Sequence, residues 1–365
     1  MRRGRNGACS QPEPQQAADR AMSQKTPRKM GGLSMKWASL AALTLQTSGQ
    51  ALMIKWSKSR NHDGQAYLSS TVVFFVEVLK FLASFVLVVV ETGGFSSALD
   101  CLSCHLMKSR TDLLKAAVPS LIYTIQNNLM FYSLDKLSAP VQQVLYQMKV
   151  ITTAAIGVVM LDKRLTATQW ASCCMLTMGV ALVQWPRDST MNDFSFGADQ
   201  AKGFVAVLCA CCTSGFAGVW IQKMLQQSGS SVWVRNVQLG LFGSAMGAVV
   251  VVVNDGKAVL AGGFTQGYDF RVVCVILMTA LGGLLCAVML KFAGATHGCF
   301  STALSIILTS LLSHTLVGDF EMDWLFGVGT GVAVLASLLF SLGPPELRRP
   351  LAALGLSKLF AWGAV

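Results

Sequence analysis

Charge is what this sequence has least of. Asp, Glu, Lys and Arg make up 13% of its 365 residues, about half the share found in a soluble globular chain. The deficit is local. Charge-free runs of about spanning length cover 37–54, 116–134, 166–185, 203–221, 237–253, 272–290 and 324–342. Three more qualify if a few ionisable groups are tolerated: 71–90 with Glu77 and Lys80, 138–161 with Lys149, and 299–317 with His314. A helix needs about 20 mostly apolar residues to cross a bilayer, with about 17 a lower limit. A soluble core hides one or two such helices, not ten. The expectation is an all-α membrane protein of about ten transmembrane helices, its partner the lipid bilayer.

Other absences narrow the function. No Walker loop, zinc-hydrolase motif or nucleophile elbow is present, so an enzyme is not indicated, nor a cofactor or metal. Residues 1–34 are polar, with Arg2, Arg3, Arg5, Arg20, Lys25, Arg28 and Lys29, and lack the apolar stretch of a cleaved signal. The first span is therefore expected to act as its own insertion signal. Glu13 and Asp19 weigh against a transit sequence. Most of the eleven cysteines lie inside spans, where they pack as small apolar groups, so no disulfide framework is expected. Cys101-Leu102-Ser103-Cys104-His105 matches a c-type haem pattern, but its loop is expected to be cytosolic, the wrong compartment for haem attachment.

Lys and Arg set the orientation. With both termini on one side, nineteen of the 29 fall on that side and eight on the other, with Lys80 and Lys149 inside spans. The termini are expected to be cytosolic, and the net charge of +11 needs no nucleic acid to explain it. The organisation expected is a polar N-terminal tail (1–34), a ten-helix domain (35–342) and a cytosolic C-terminal tail (343–365). A polar connector, 186–202, splits the domain into halves, 35–185 and 202–342. A span opening each half carries Ser-Gly-x-Ala, at Ser48-Gly49-Gln50-Ala51 and Ser214-Gly215-Phe216-Ala217. Five spans per half force opposite orientations, an inverted repeat with its substrate site near the midplane.

A charge at mid-bilayer costs about 2.5–3.5 kcal/mol on insertion scales, so it usually serves a purpose. Lys149, in Tyr146-Gln147-Met148-Lys149, has no carboxylate at helical spacing, which suits an anionic ligand; snorkelling is the plainer reading. Glu77 and Lys80 stand one turn apart and are expected to form a structural ion pair. Tyr123-Thr124-Ile125-Gln126-Asn127-Asn128 places three carboxamides in a span, to bind either a base and sugar or a neighbouring helix. Lys291 is either a second phosphate contact or an interfacial lysine. His314 reads as a packing histidine before a proton carrier. Gly327-x-x-x-Gly331 suits close packing or a homodimer.

Several of these segments resemble the nucleotide-sugar transporter family that includes the CMP-sialic acid and UDP-galactose carriers. They are Val118-Pro119-Ser120-Leu121-Ile122-Tyr123, Gln126-Asn127-Asn128, Tyr146-Gln147-Met148-Lys149, Gly179 to Trp185, and Trp233-Val234-Arg235-Asn236-Val237-Gln238-Leu239. The resemblance covers roughly 36–342. It implies a drug/metabolite-transporter fold of ten helices in two inverted five-helix halves. It also implies exchange of a cytosolic nucleotide sugar for lumenal nucleoside monophosphate across a Golgi or ER membrane. By position, Lys149 and Lys291 would hold phosphate, Asn127 and Asn128, with Gln126 beside them, would meet the nucleotide, and Tyr123 and Tyr146 would shape the pocket.

The sequence departs from that family pattern at Gln142, Trp220, Gln222 and Gly294, where Tyr, Tyr, Glu and Asp are usual. These changes bear on substrate choice, with UDP-galactose or UDP-N-acetylglucosamine favoured over CMP-sialic acid. Two alternatives remain: an exporter of small amines with the same fold, for which the unpaired Lys149 has the wrong sign, and a scaffold that has lost transport.

Overall fold

The computed structural model describes residues 30–58, 67–107, 110–185, 198–227, 231–317 and 322–353. The N-terminal 1–29, most of the connector (186–197) and the last twelve residues lie outside them. Every regular element among the described residues is helical. First come α1 (Met30–Lys58), α2 (Ser69–Thr92), the short α3 (Phe95–Met107) and α4 (Arg110–Leu134). Then follow α5 (Ala139–Tyr146), α6 (Lys149–Leu161) and α7 (Ala167–Val183). Beyond the connector run α8 (Ala198–Gln227), α9 (Val232–Gly262), α10 (Phe270–Phe292), α11 (Ala295–Leu312) with a π-helical turn (Ser313–Val317), and α12 (Trp324–Ala353).

Seven spans are long and apolar enough to cross a bilayer: α2, α5 with α6, α8, α9, α10, α11 with its π turn, and α12. The chain is a multi-pass helical membrane protein. Three of the ten expected runs form helices but fall short of that measure. At 17 residues, α7 is brief, and α1 and α4 are diluted by polar side chains. In α1 those side chains bind neighbours, as a low-dielectric setting requires. Gln46 Nε2 donates to Met278 O at 2.7 Å and Gln50 Nε2 to Thr279 Oγ1 at 3.0 Å, both on α10. Ser48 Oγ donates to Ser305 O of α11 at 3.0 Å.

Helix ends follow local chemistry. Thr166 and Gln169 form a reciprocal capping box at the start of α7. Asp269 and Asp323 cap α10 and α12 through the amides of Val272 and Phe326. The bundle is built from pairs: α7 lies along α12 and α2 along α9, α4 and α6 both pack on α8, and α1 packs on α10 and α11. The largest core cluster joins Val150, Leu176, Val180, Phe300, Ile307, Ala333 and Phe340, from α6, α7, α11 and α12.

Three details differ from the sequence reading. The run 138–161 is a broken helix: Met148 N bonds Leu145 O and Val150 N bonds Gln147 O, tightening to i−3 pairing just before Lys149. The polar stretch between the second and third spans contains α3, whose Ala98 and Leu102 bury against Val88, Val234 and Val237. The last helix runs on to Ala353, past 342. Within the Gly327-x-x-x-Gly331 motif, both outer glycines face open space, and Gly329 between them meets the Gly179 carbonyl and the Val183 amide of α7.

Candidate substrate site

Lys149 opens α6, immediately after the break. Its ammonium lies over the Tyr146 ring, 4.7 Å from the centroid, a contact favourable to a cation even without a counter-ion. Among the described residues no carboxylate comes within 4.0 Å of it. The break frees the Tyr146 carbonyl, and Cys211 of α8 meets it, its Sγ 3.6 Å from Tyr146 O and 3.9 Å from Leu145 O. Thr152 Oγ1 donates to Cys211 O at 3.0 Å. Gln147 Nε2 donates to Gln184 Oε1 at 2.9 Å, tying the other side of the turn to the end of α7.

The Tyr146 hydroxyl joins three helices. It accepts from Gln126 Nε2 of α4 at 2.9 Å and donates to Ser214 Oγ of α8 at 3.1 Å. Gln126 Oε1 is buried with no protein partner, so the carboxamide retains an acceptor for a ligand donor. Tyr123, Gln126 and Asn127 share a face at i, i+3 and i+4. Tyr123 and Asn127 are exposed, and Asn127 makes no hydrogen bond among the described residues. Asn128 turns away, its Nδ2 donating to Thr124 O at 2.9 Å on its own helix.

Glu77 and Lys80 form a bidentate pair, with both oxygens 2.8 Å from Nζ. Two glycines on facing helices make room for it. A Cβ on Gly243 of α9 would fall 2.5 Å from Glu77 Oε2, and one on Gly283 of α10 2.7 Å from Lys80 Cδ.

Lys291 stands apart from Lys149. It ends α10, where Gln226 Nε2 donates to the Leu290 and Lys291 carbonyls at 3.2 and 3.0 Å. Cys211, beside the Lys149 turn, and Gln226 are fifteen residues apart on α8, about 22 Å of helix. The backbone of the Lys149 turn and that of Lys291 thus meet α8 at different levels.

The four departures from the family pattern are occupied elsewhere. Gln142, 4% exposed, donates to Met130 O at 2.6 Å and to Ser133 Oγ, pinning α5 to α4. Trp220 donates from Nε1 to Lys115 O at 3.0 Å and stacks on Phe216. Gln222 accepts from the Ala295 amide at 2.8 Å, in the space that Gly294 leaves. Each bonds to backbone or packs on a neighbouring helix.

Sequence reasoning missed Ser214 and Cys211 as parts of this cluster, although Ser214 opens the second Ser-Gly-x-Ala copy. Both cysteines of the haem-like motif lie on α3 and form no disulfide among the described residues, and no group of three metal-binding side chains occurs among those residues. Two cavities open on the flanks, about 450 Å3 between α4 and α8 and about 410 Å3 between α1, α11 and α12. Neither is lined by Lys149, Tyr146 or Gln126.

A bundle of apolar spanning helices that carry ionisable and carboxamide side chains within them is the architecture of a polytopic membrane protein. The chain belongs to the nucleotide-sugar transporter family, whose model matches residues 32–341. It is 40% identical over 319 residues to the UDP-N-acetylglucosamine transporter of Homo sapiens, covering 87% of this chain and 98% of the relative. It is 41% identical over 310 residues to the UDP-galactose translocator of Mus musculus, covering 84% and 78%. A Caenorhabditis elegans relative, the UDP-N-acetylglucosamine/UDP-N-acetylgalactosamine transporter nstp-4, is 39% identical over 321 residues, covering 85% and 94%. These relatives are named as transporters, not enzymes. A crystal structure of a protein 12% identical superposes with a TM-score of 0.64, covering 87% of this chain and 99% of the other, a likeness of fold alone.

Proposed function

We propose that this chain carries a UDP-sugar, UDP-N-acetylglucosamine or UDP-galactose, from the cytosol into a Golgi or ER lumen in exchange for a nucleoside monophosphate. The observation that carries the reading is Lys149. Its ammonium is half-buried beside a helix break and over a tyrosine face, with no carboxylate within 4.0 Å among the described residues, and its charge calls for an anion. Gln126, with its idle acceptor, and Asn127 stand on the facing helix with the donors and acceptors that a pyrimidine base or sugar hydroxyls would use. CMP-sialic acid shares the same anionic chemistry, and the relatives named above favour UDP-sugars.

Packing supports ten spans in two inverted halves. Number the spans α1, α2, α4, α5–α6 and α7 in the first half, and α8 to α12 in the second. Exchanging the halves maps each of the strongest helix contacts onto another or onto itself. The α4–α8 contact maps onto α10–α1, α6–α8 onto α11–α1, and α2–α10 onto α9–α4, while α2–α9, α6–α11 and α7–α12 map onto themselves. The two Ser-Gly-x-Ala copies follow suit: Ser48 bonds α11, and Ser214 bonds Tyr146 at the α5–α6 break. Such symmetry suits alternating access by rocking one half on the other about a fixed site. The two levels on α8 fit the same picture, with Lys291 meeting the phosphates at the entrance and Lys149 holding them at the centre. The excess of Lys and Arg on the side of both termini makes that side cytosolic.

The test is counterflow. Proteoliposomes preloaded with UMP or CMP are offered labelled UDP-, GDP- and CMP-sugars. Uptake of a UDP-sugar driven by internal UMP is expected. Uptake of amines alone would replace this reading with the exporter, and no uptake of any nucleotide sugar would replace it with the scaffold.

A further inference from the structure

The cavity of about 410 Å3 on the flank of α1, α11 and α12 lies apart from the substrate cluster, along the outer edge of the α1–α11 seam. Its walls are apolar along most of their length: Trp37, Leu40 and Leu45 from α1, Phe300 and Leu304 from α11. Leu45 is 65% exposed and Trp37 45% exposed, so the groove opens outward, to where acyl chains lie in a membrane. One end differs in character. His297, whose ring packs edge-on against Phe340 at 5.0 Å, lines that end with Ser341. Lys36, its ammonium 5.4 Å from the centre of the Trp37 ring, stands beside it, and Lys163 in the α6–α7 turn lies within electrostatic range of both Lys36 and His297.

Three basic side chains thus gather at the mouth of an apolar groove. Lys163 keeps an outer side open to solvent, yet the protein crowded about it, and then the charge of Lys36, hold its ammonium below the usual lysine range. Among the described residues Lys163 has no carboxylate within 4.0 Å. An anion placed between Lys36 and Lys163 would relieve the repulsion of the two ammonium groups. The start of α1, the start of α11, the α6–α7 turn and Ser341 of α12 all lie at one end of the bundle. That end is rich in Lys and Arg, and a tryptophan sits at the level expected of the headgroup boundary. Basic pockets between spanning helices at that level hold acidic headgroups.

We propose that this groove is a site for one anionic phospholipid, its acyl chain along Leu40, Leu45 and Leu304 and its headgroup phosphate between Lys36, Lys163 and His297. The occupant is a lipid rather than a free nucleotide because the apolar length of the groove offers a phosphate-sized ligand nothing. The proposal does not depend on which solute the chain carries.

Native mass spectrometry of the purified full chain, titrated with phosphatidylserine or phosphatidylcholine of matched chains, tests it. The wild type is expected to retain phosphatidylserine in preference to phosphatidylcholine, and K36Q/K163Q to lose roughly tenfold or more of that preference. A second variant, Ala41→Phe, leaves the lysines in place and fills the groove, and is expected to lose the bound lipid. Equal retention of the two lipids by the wild type would overturn the proposal, as would undiminished phosphatidylserine binding in both variants. Glycerophosphoserine, the headgroup without its chains, is expected not to compete; displacement of the lipid by it would make the mouth a free-anion site instead.

Discussion

The Gln222 carboxamide fills the volume that a side chain at Gly294 would require. A Cβ there would lie 2.7 Å from Gln222 Nε2, and the backbone at 294, with φ 88° and ψ 165°, is a conformation essentially confined to glycine. The glycine turns α10 sharply into α11, and the glutamine caps the first amide of α11 across the gap. Two departures from the family pattern, 72 residues apart in the chain, are thus one structural unit. Gly294→Asp, which restores the usual family residue, is expected to destabilise the fold by about 1–3 kcal/mol. Adding Gln222→Ala should recover the steric part and leave the backbone part. Melting temperatures of the two single variants and the double in detergent check this, since independent sites would give additive losses.

Removing Lys149 should abolish exchange while the protein still inserts and elutes as a single species. Lys291→Ala, at the end of the bundle, should weaken uptake chiefly by raising KM. Counterflow by both variants at several UDP-sugar concentrations separates the two effects. Wild-type transport by Lys149→Ala would take the phosphate away from that lysine.

Tyr146 acts through its ring and its hydroxyl. In Tyr146→Phe the ring still faces the Lys149 ammonium, but Gln126 and Ser214 lose their shared partner. Two buried hydrogen bonds at about 1 kcal/mol each give a KM increase of roughly five- to thirtyfold. Tyr146→Ala should be worse because the ammonium loses its support as well. Equal transport by wild type and Tyr146→Phe would sever the hydroxyl from the site.

Breaking the Glu77–Lys80 pair on one side leaves a partly buried charge without its partner. Fully buried pairs cost about 3–5 kcal/mol when halved; with 24% and 22% of the two side chains exposed, each single variant should lose on the order of 2 kcal/mol. Lys80→Met with Glu77→Gln should be more stable than either Lys80→Met or Glu77→Ala alone. Thermal stability measured at low and high salt decides it, and a double variant worse than both singles would assign the pair a role beyond neutralisation.

Much of the bundle was legible because apolar runs long enough to cross a bilayer have no other use. The run 71–90 reappears as α2, 272–290 as α10 and 324–342 as most of α12. The break at Gln147–Met148 was not legible, since neither residue forbids a helix and no proline or glycine marks it. What stabilises the break is the Cys211 thiol against the freed Tyr146 carbonyl, contributed by a helix some sixty residues away in the chain. The short α3 was hidden for the opposite reason: its two apolar side chains acquire a face to bury only once α2 and α9 lie together.

By itself the sequence determined that this chain lives in a membrane and that Lys149 has no acid within reach along its own helix. Those are properties of composition and local spacing, which solvent and bilayer read directly. Only the tertiary structure decided that Gln126, Tyr146 and Ser214 form one hydrogen-bonded line, that the Lys291 carbonyl meets Gln226 of α8, and that Gln142, Trp220 and Gln222 are bound to neighbouring helices. Such facts depend on which helices become neighbours, and helix pairing is set by the packing of whole faces, information distributed over the chain rather than held in any one motif.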